Sequence, residues 1–193
     1  MEVGMENRQS KLAKVLSLVV MVALPLMAFS SPALAQKAQE LKDAHKMMAD
    51  GWKMFNDGQQ QVIQGKEMND LVATQMGFQD KMAPGNKFIQ DGRNTITQGA
   101  TLFAQGDKTF TDNLTSPGVA KQGLKMMSDG FNIAMGGMKM MGEGMRMNNQ
   151  VAEAAGAIEK FSQGNQVMET GMTTMAQGAQ LFRQGENLFL KLK

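Results

Sequence analysis

A glycine returns every seven residues along most of this chain, and that spacing limits the possible folds more than any other feature. Gly51, Gly58 and Gly65 begin the series, and Gly85, Gly92, Gly99 and Gly106 continue it. Gly123, Gly130, Gly137 and Gly144 follow, and Gly164, Gly171, Gly178 and Gly185 close it. Seven residues are two helical turns, so each glycine shares one stripe with the residues three and four positions on, which are mostly apolar. Each glycine inside a helix costs about 0.8–1 kcal/mol relative to alanine, so the fifteen together cost roughly 12–15 kcal/mol, the scale of a whole domain's stability. Close approach offsets such a cost: with no Cβ in the way, two backbones pack nearer than the usual interaxial distance of about 8–10 Å. Helix caps and turns do not explain the series, because they do not recur in phase with an apolar stripe.

Shifted by 79 residues, the sequence matches itself without a gap. Lys46-Met-Met-Ala-Asp-Gly-Trp52 falls on Lys125-Met-Met-Ser-Asp-Gly-Phe131, and Gln98-Gly-Ala-Thr-Leu-Phe103 on Gln177-Gly-Ala-Gln-Leu-Phe182. The chain thus reads as a tandem duplication. Within each unit the beat slips once, from Gly65 to Gly85 and from Gly144 to Gly164, which is the mark of a chain reversal. Facing residues of an antiparallel hairpin have a constant index sum, and Gly65/Gly85, Gly58/Gly92 and Gly51/Gly99 share one, as do Gly144/Gly164, Gly137/Gly171 and Gly130/Gly178. The expectation is an all-α fold, an antiparallel up-down-up-down four-helix bundle built from two tandemly duplicated helical hairpins whose glycines pair inside each hairpin. The helices are predicted near 38–76, 83–112, 117–154 and 158–191. Gly77 and Gly156 would cap the turns, Pro84 would sit in the first turn of the second helix, and Ser116 would cap the third ahead of Pro117. The apolar members of the stripe, among them Phe55, Phe88, Phe103, Met127, Ile133, Met141 and Phe182, are the expected interior.

The first 35 residues have the pattern of a cleaved secretory signal: Lys11 and Lys14, an apolar run from Val15 to Phe29, and Ala33-Leu34-Ala35 as the cleavage site. That predicts a periplasmic or secreted chain from Gln36, a single helical domain over 36–193 with repeats near 38–112 and 117–191. Contact with a membrane would come only through an uncleaved leader. With no cysteine there is no disulfide, thiolate site or lipidated cysteine. Cleavage leaves 17 basic and 16 acidic residues, interspersed, which gives nucleic acid no electrostatic footprint.

Little in the sequence suggests catalysis. There is no Gly-x-Ser-x-Gly elbow, no Glu-x-x-His pair and no phosphate loop, and His45 is the only histidine. His45 would be a candidate haem ligand, yet a lone histidine near a helix start is more often a packed residue. No catalytic or cofactor-binding residue is assigned. Two features of the third helix remain. Met138, Met141 and Met145 bring three thioethers to one helix face, a pattern that suits Cu(I) or Ag(I), though methionine beside glycine also serves as core filler. The position after each glycine is also apolar on this helix, so that Leu124, Phe131, Met138 and Met145, with Met135 alongside, widen the stripe into a candidate surface for a protein partner or for self-association. On that reading, Phe131→Asp with Met138→Asp abolishes association and leaves helicity intact. The functional expectation is an exported, non-enzymatic binding or scaffolding module. A soft-metal sequestering protein and a self-assembling coat or filament subunit are the alternatives.

Overall fold

The computed structural model describes residues 32–192, which form four α-helices and no strand. They are α1 (Pro32–Met76), α2 (Gln79–Asp112), α3 (Pro117–Ala154) and α4 (Ile158–Lys191), and they pack as a helical bundle. The proposed leader up to residue 31 lies outside the described residues, and Ala33 to Ala35 form part of the first turns of α1. No helix among the described residues is long and apolar enough to cross a membrane.

Two turns repeat the same device. Gly77 and Gly156 adopt left-handed φ angles of 68° and 65°, a conformation that costs glycine nothing. In each turn the residue after glycine closes back on the helix it has left, Phe78 N–H on the Ala73 carbonyl and Ala157 N–H on the Ala152 carbonyl, both at 2.8 Å. The connection between α2 and α3 has no such glycine: the Asn113 amide side chain donates to the Thr109 carbonyl at 2.9 Å, and Pro117 opens α3. Ser116 occupies the N-cap position without a side-chain cap bond. The start of α2 is earlier than the sequence suggested, which places Pro84 inside the helix rather than in its first turn. The Asp80 carbonyl therefore has no N–H four residues on to accept.

The glycine partners differ from the expected ones. Gly58 does not face Gly92 of its own hairpin: a Cβ on Gly58 would stand 2.5 Å from the Gly171 carbonyl oxygen and 2.6 Å from the Met175 nitrogen. Gly51 faces Gly178, Gly65 faces Gly164, Gly92 faces Gly137, Gly99 faces Gly130 and Gly106 faces Gly123, so every pair adds to 229. The close helix pairs are α1 with α4 and α2 with α3. All fifteen glycines of the series have the opposing backbone where a side chain would go.

The two close pairs lie against each other across a wider interval that large side chains fill. At its centre Trp52 stacks on Phe103 with ring centroids 4.5 Å apart, and Phe131 stacks on Phe182 at 3.9 Å. These stacks join α1 to α2 and α3 to α4, so each hairpin is spaced by aromatic rings while its glycine rows engage the other half. A smaller cluster of Ala73, Met82, Ala152, Ala157 and Phe161 closes the end where the two glycine turns lie.

Because the close packing runs between halves, the connection at 113–116 carries little of the fold. Proteolytic cleavage at a site inserted there should leave the two pieces co-eluting on size exclusion in native buffer. Separation of the pieces without denaturant would contradict this topology.

Candidate functional site

The glycine of each beat faces the close partner, and the residue four on lies beside it, from where Phe103 and Phe182 also reach the wider interval. The residue after glycine is about 100° round, and on α3 this position turns into the wider interval as a second buried face. This second face takes in the strip that the sequence marked on α3. Leu124 and Phe131 are fully buried, Met145 is 8% exposed, and Met135 and Met138 are partly buried against the main core. Phe131 also receives the edges of Trp52 and Phe55, at 6.2 and 5.4 Å. The strip is therefore interior, and the reading of it as an open docking surface is corrected. The corresponding positions on the other helices include Trp52, Ala100 and Ala179, which share the same interval.

The three methionines of the candidate metal set do not stay together. Met141 is fully buried and its Cγ lies 2.7 Å from where a Cβ on Gly92 would stand, which directs it into the gap between α2 and α3. Met138 and Met145 occupy the face toward α4. There Met172 reaches across, its terminal methyl 3.3 Å from the Cβ position of Gly142. Spacing along one helix could not have supplied Met172. His45 is engaged by side chains: its Nε2 lies 2.6 Å from Asp107 Oδ1 and its ring stacks on Phe110 at 4.3 Å.

Sequence reasoning missed a buried layer of asparagines. Asn69 donates to Asn165 Oδ1 at 2.8 Å, and Asn148 donates to Asn86 Oδ1 at 2.8 Å, so the two bonds are equivalent under the 79-residue shift. Asn86 in turn donates to Asp70, which also holds the Lys66 ammonium. The remaining oxygens of Asn69 and Asn148 have no N–H or O–H donor and press against Gly164 and Gly85, where Cα–H groups are the available partners. The signal was present: these asparagines stand one or four positions after a glycine beat, in phase with the apolar residues. Paired amides at such positions penalise a shifted register, because a slip leaves each of them buried without its partner.

The outer edge of each glycine row carries a different feature. Residues three positions after glycine form a ladder over the close pair: Thr95 donates to Met140 Sδ at 3.8 Å across α2 and α3, and Thr174 donates to Gln61 Oε1 at 3.2 Å across α4 and α1. Both rungs add to 235, and the same sum sets Leu102 opposite Ile133, Phe88 opposite Met147 and Met54 opposite Leu181. Phe88 and Ile133, expected in the interior, are 40% and 39% exposed, because this side of the stripe faces outward once the backbones have closed. Charges flank the ladder over α2 and α3 in pairs along each helix: Lys87 with Asp91, Lys108 with Asp112, Lys125 with Asp129 and Arg146 with Glu143. The guanidinium hydrogen-bonded to Glu143 holds that carboxyl below its ordinary range, on an exposed face where such pairs contribute little to stability.

Among the described residues, no group of three His, Cys, Asp or Glu side chains is placed to hold a metal. Compared with known protein families, curated proteins and solved structures, the chain matches none of them.

Proposed function

We propose that this chain is an exported, non-enzymatic scaffolding module that associates with further copies of itself through the apolar ladder over α2 and α3. The half-exposed Phe88 and Ile133, opposite the partly buried Met147 and Leu102, carry the reading, since they leave large apolar side chains at the surface of a bundle that has already filled its core. The occupant we assign is a second copy of the chain. Around the ladder four ion pairs run along the two helices with Lys139 as one further exposed cation, a mixed-sign surface that a second copy meets with little net repulsion and that gives a strongly charged partner little purchase.

The duplication supports the same reading. If the two halves are tandem copies of one glycine-heptad hairpin, the ladder over α1 and α4, with Met54, Leu181, Met47 and Leu188, is the counterpart of the first on the other close pair. Two such ladders allow association to propagate, as in a coat or filament. Export to a periplasm or beyond rests on the leader pattern alone, with cleavage after Ala35.

Sedimentation equilibrium over rising concentration tests the proposal. The chain is expected to associate, and Phe88→Lys with Ile133→Lys to leave a monomer of unchanged helicity, because both positions are at the surface. A parent chain that stays monomeric, or a double variant that associates equally well, would reject it.

A further inference from the structure

We infer that the α3–α4 edge of the bundle holds a soft-cation site, formed by the thioethers of Met145 and Met172 and selective for a monovalent ion such as Cu(I) or Ag(I). This inference is independent of self-association, which uses the opposite side of α3. The observation that carries it is the reach of Met172 from α4 onto Gly142 of α3, where its methyl occupies the recess left by the missing side chain. Met145 stands three residues after Gly142, on the same face of the helix. Side chains in a helix lean toward its N-terminus, so Met145 leans back over that recess, whereas Met138, about 10.5 Å from Met145 along the axis, leans away from it.

Burial at this edge suits a ligand set. Met145 is nearly covered, while Met172 is partly buried against the main core, so one thioether is shielded and the other remains reachable. A neutral thioether prefers a soft monovalent ion to a hard divalent one. Binding releases no proton, and an ion that enters as Cu(I) or Ag(I) needs no electron transfer. The unbranched side chains have the torsional freedom to converge on an ion with the backbone fixed. Met141 is excluded, since it is turned into the gap beside Gly92.

The test is a titration of the chain, carbon-13 labelled at its methionine methyls, with silver nitrate in chloride-free buffer. The Met145 and Met172 resonances should shift together and saturate near one ion per chain, whereas Met138, Met141 and the more exposed Met76 stay in place. Met172→Leu, which keeps the bulk of the side chain, should weaken Ag(I) binding at least tenfold, and Met141→Leu should leave it unchanged. Shifts that spread over exposed methionines without saturating would overturn the inference, as would an absence of shifts or full affinity in Met172→Leu. The unmodified chain supplies the first readout, so poor folding of a variant does not leave the question open.

Discussion

Phe131→Asp should unfold this protein. The ring is fully buried, stacked on Phe182 and met edge-on by Trp52 and Phe55. Truncating such a phenylalanine costs about 3–5 kcal/mol, and an unpaired carboxylate in the same place adds several more. The sum approaches the about 5–15 kcal/mol that holds a domain of this size together. Far-UV circular dichroism should show most of the helical signal gone at 25 °C, or a urea midpoint shifted close to zero. Met138→Asp alone, at a partly buried position, should lose much less. Native helicity and a native midpoint for Phe131→Asp would mean that the aromatic layer is not where the two close pairs meet.

That outcome reverses the reading of Phe131 as a surface residue, and the reversal has a definite cause. In the sequence, an apolar arc wider than one bundle seam needs looks like surplus available to a partner. In this fold a helix serves two interfaces of different spacing, a close one at glycine and a wide one about 100° away, and the arc on α3 spans both. Trp52 on α1 carried the same information and is the counterpart of Phe131 under the 79-residue shift.

Other parts of the fold were legible for simple reasons. The helix ends at Met76 and Ala154 follow from the glycines at 77 and 156, and the start at Pro117 from its fixed φ. Which glycine meets which was not legible, because the repeat makes two pairings equally regular: Gly51 fits Gly99 in its own half and Gly178 in the other. The aromatic column separates them. Trp52 and Phe103 need ring thickness between α1 and α2, so the close approach that glycine permits is realised across the halves. The candidate metal set shows the same limit, since Met172 lies on a different helix and joins Met145 only through the packing.

The glycines are present because opposing backbone occupies the space of their side chains, and two adjacent residues on α3 separate this from any general tolerance of glycine. A Cβ on Gly137 would meet the Gly92 carbonyl oxygen and would stand 2.7 Å from Ile96 Cγ1 and 2.9 Å from the Ile96 nitrogen. Nothing lies within 4 Å of the same position on Gly136, which is exposed on the same helix. Helix propensity alone favours alanine at both by about 0.8–1 kcal/mol. At Gly136 that gain stands, so Gly136→Ala should stabilise by about 0.5–1 kcal/mol. At Gly137 the added methyl must push two helices apart, an overpacking cost of about 1–3 kcal/mol in a core that can adjust, and the rigid backbone opposite places it at the upper end. Urea denaturation of the two single variants beside the parent chain is therefore the most direct measurement. The midpoint should rise for Gly136→Ala and fall for Gly137→Ala by the equivalent of about 2 kcal/mol; midpoints that rise together would contradict close backbone approach as the reason for the glycines.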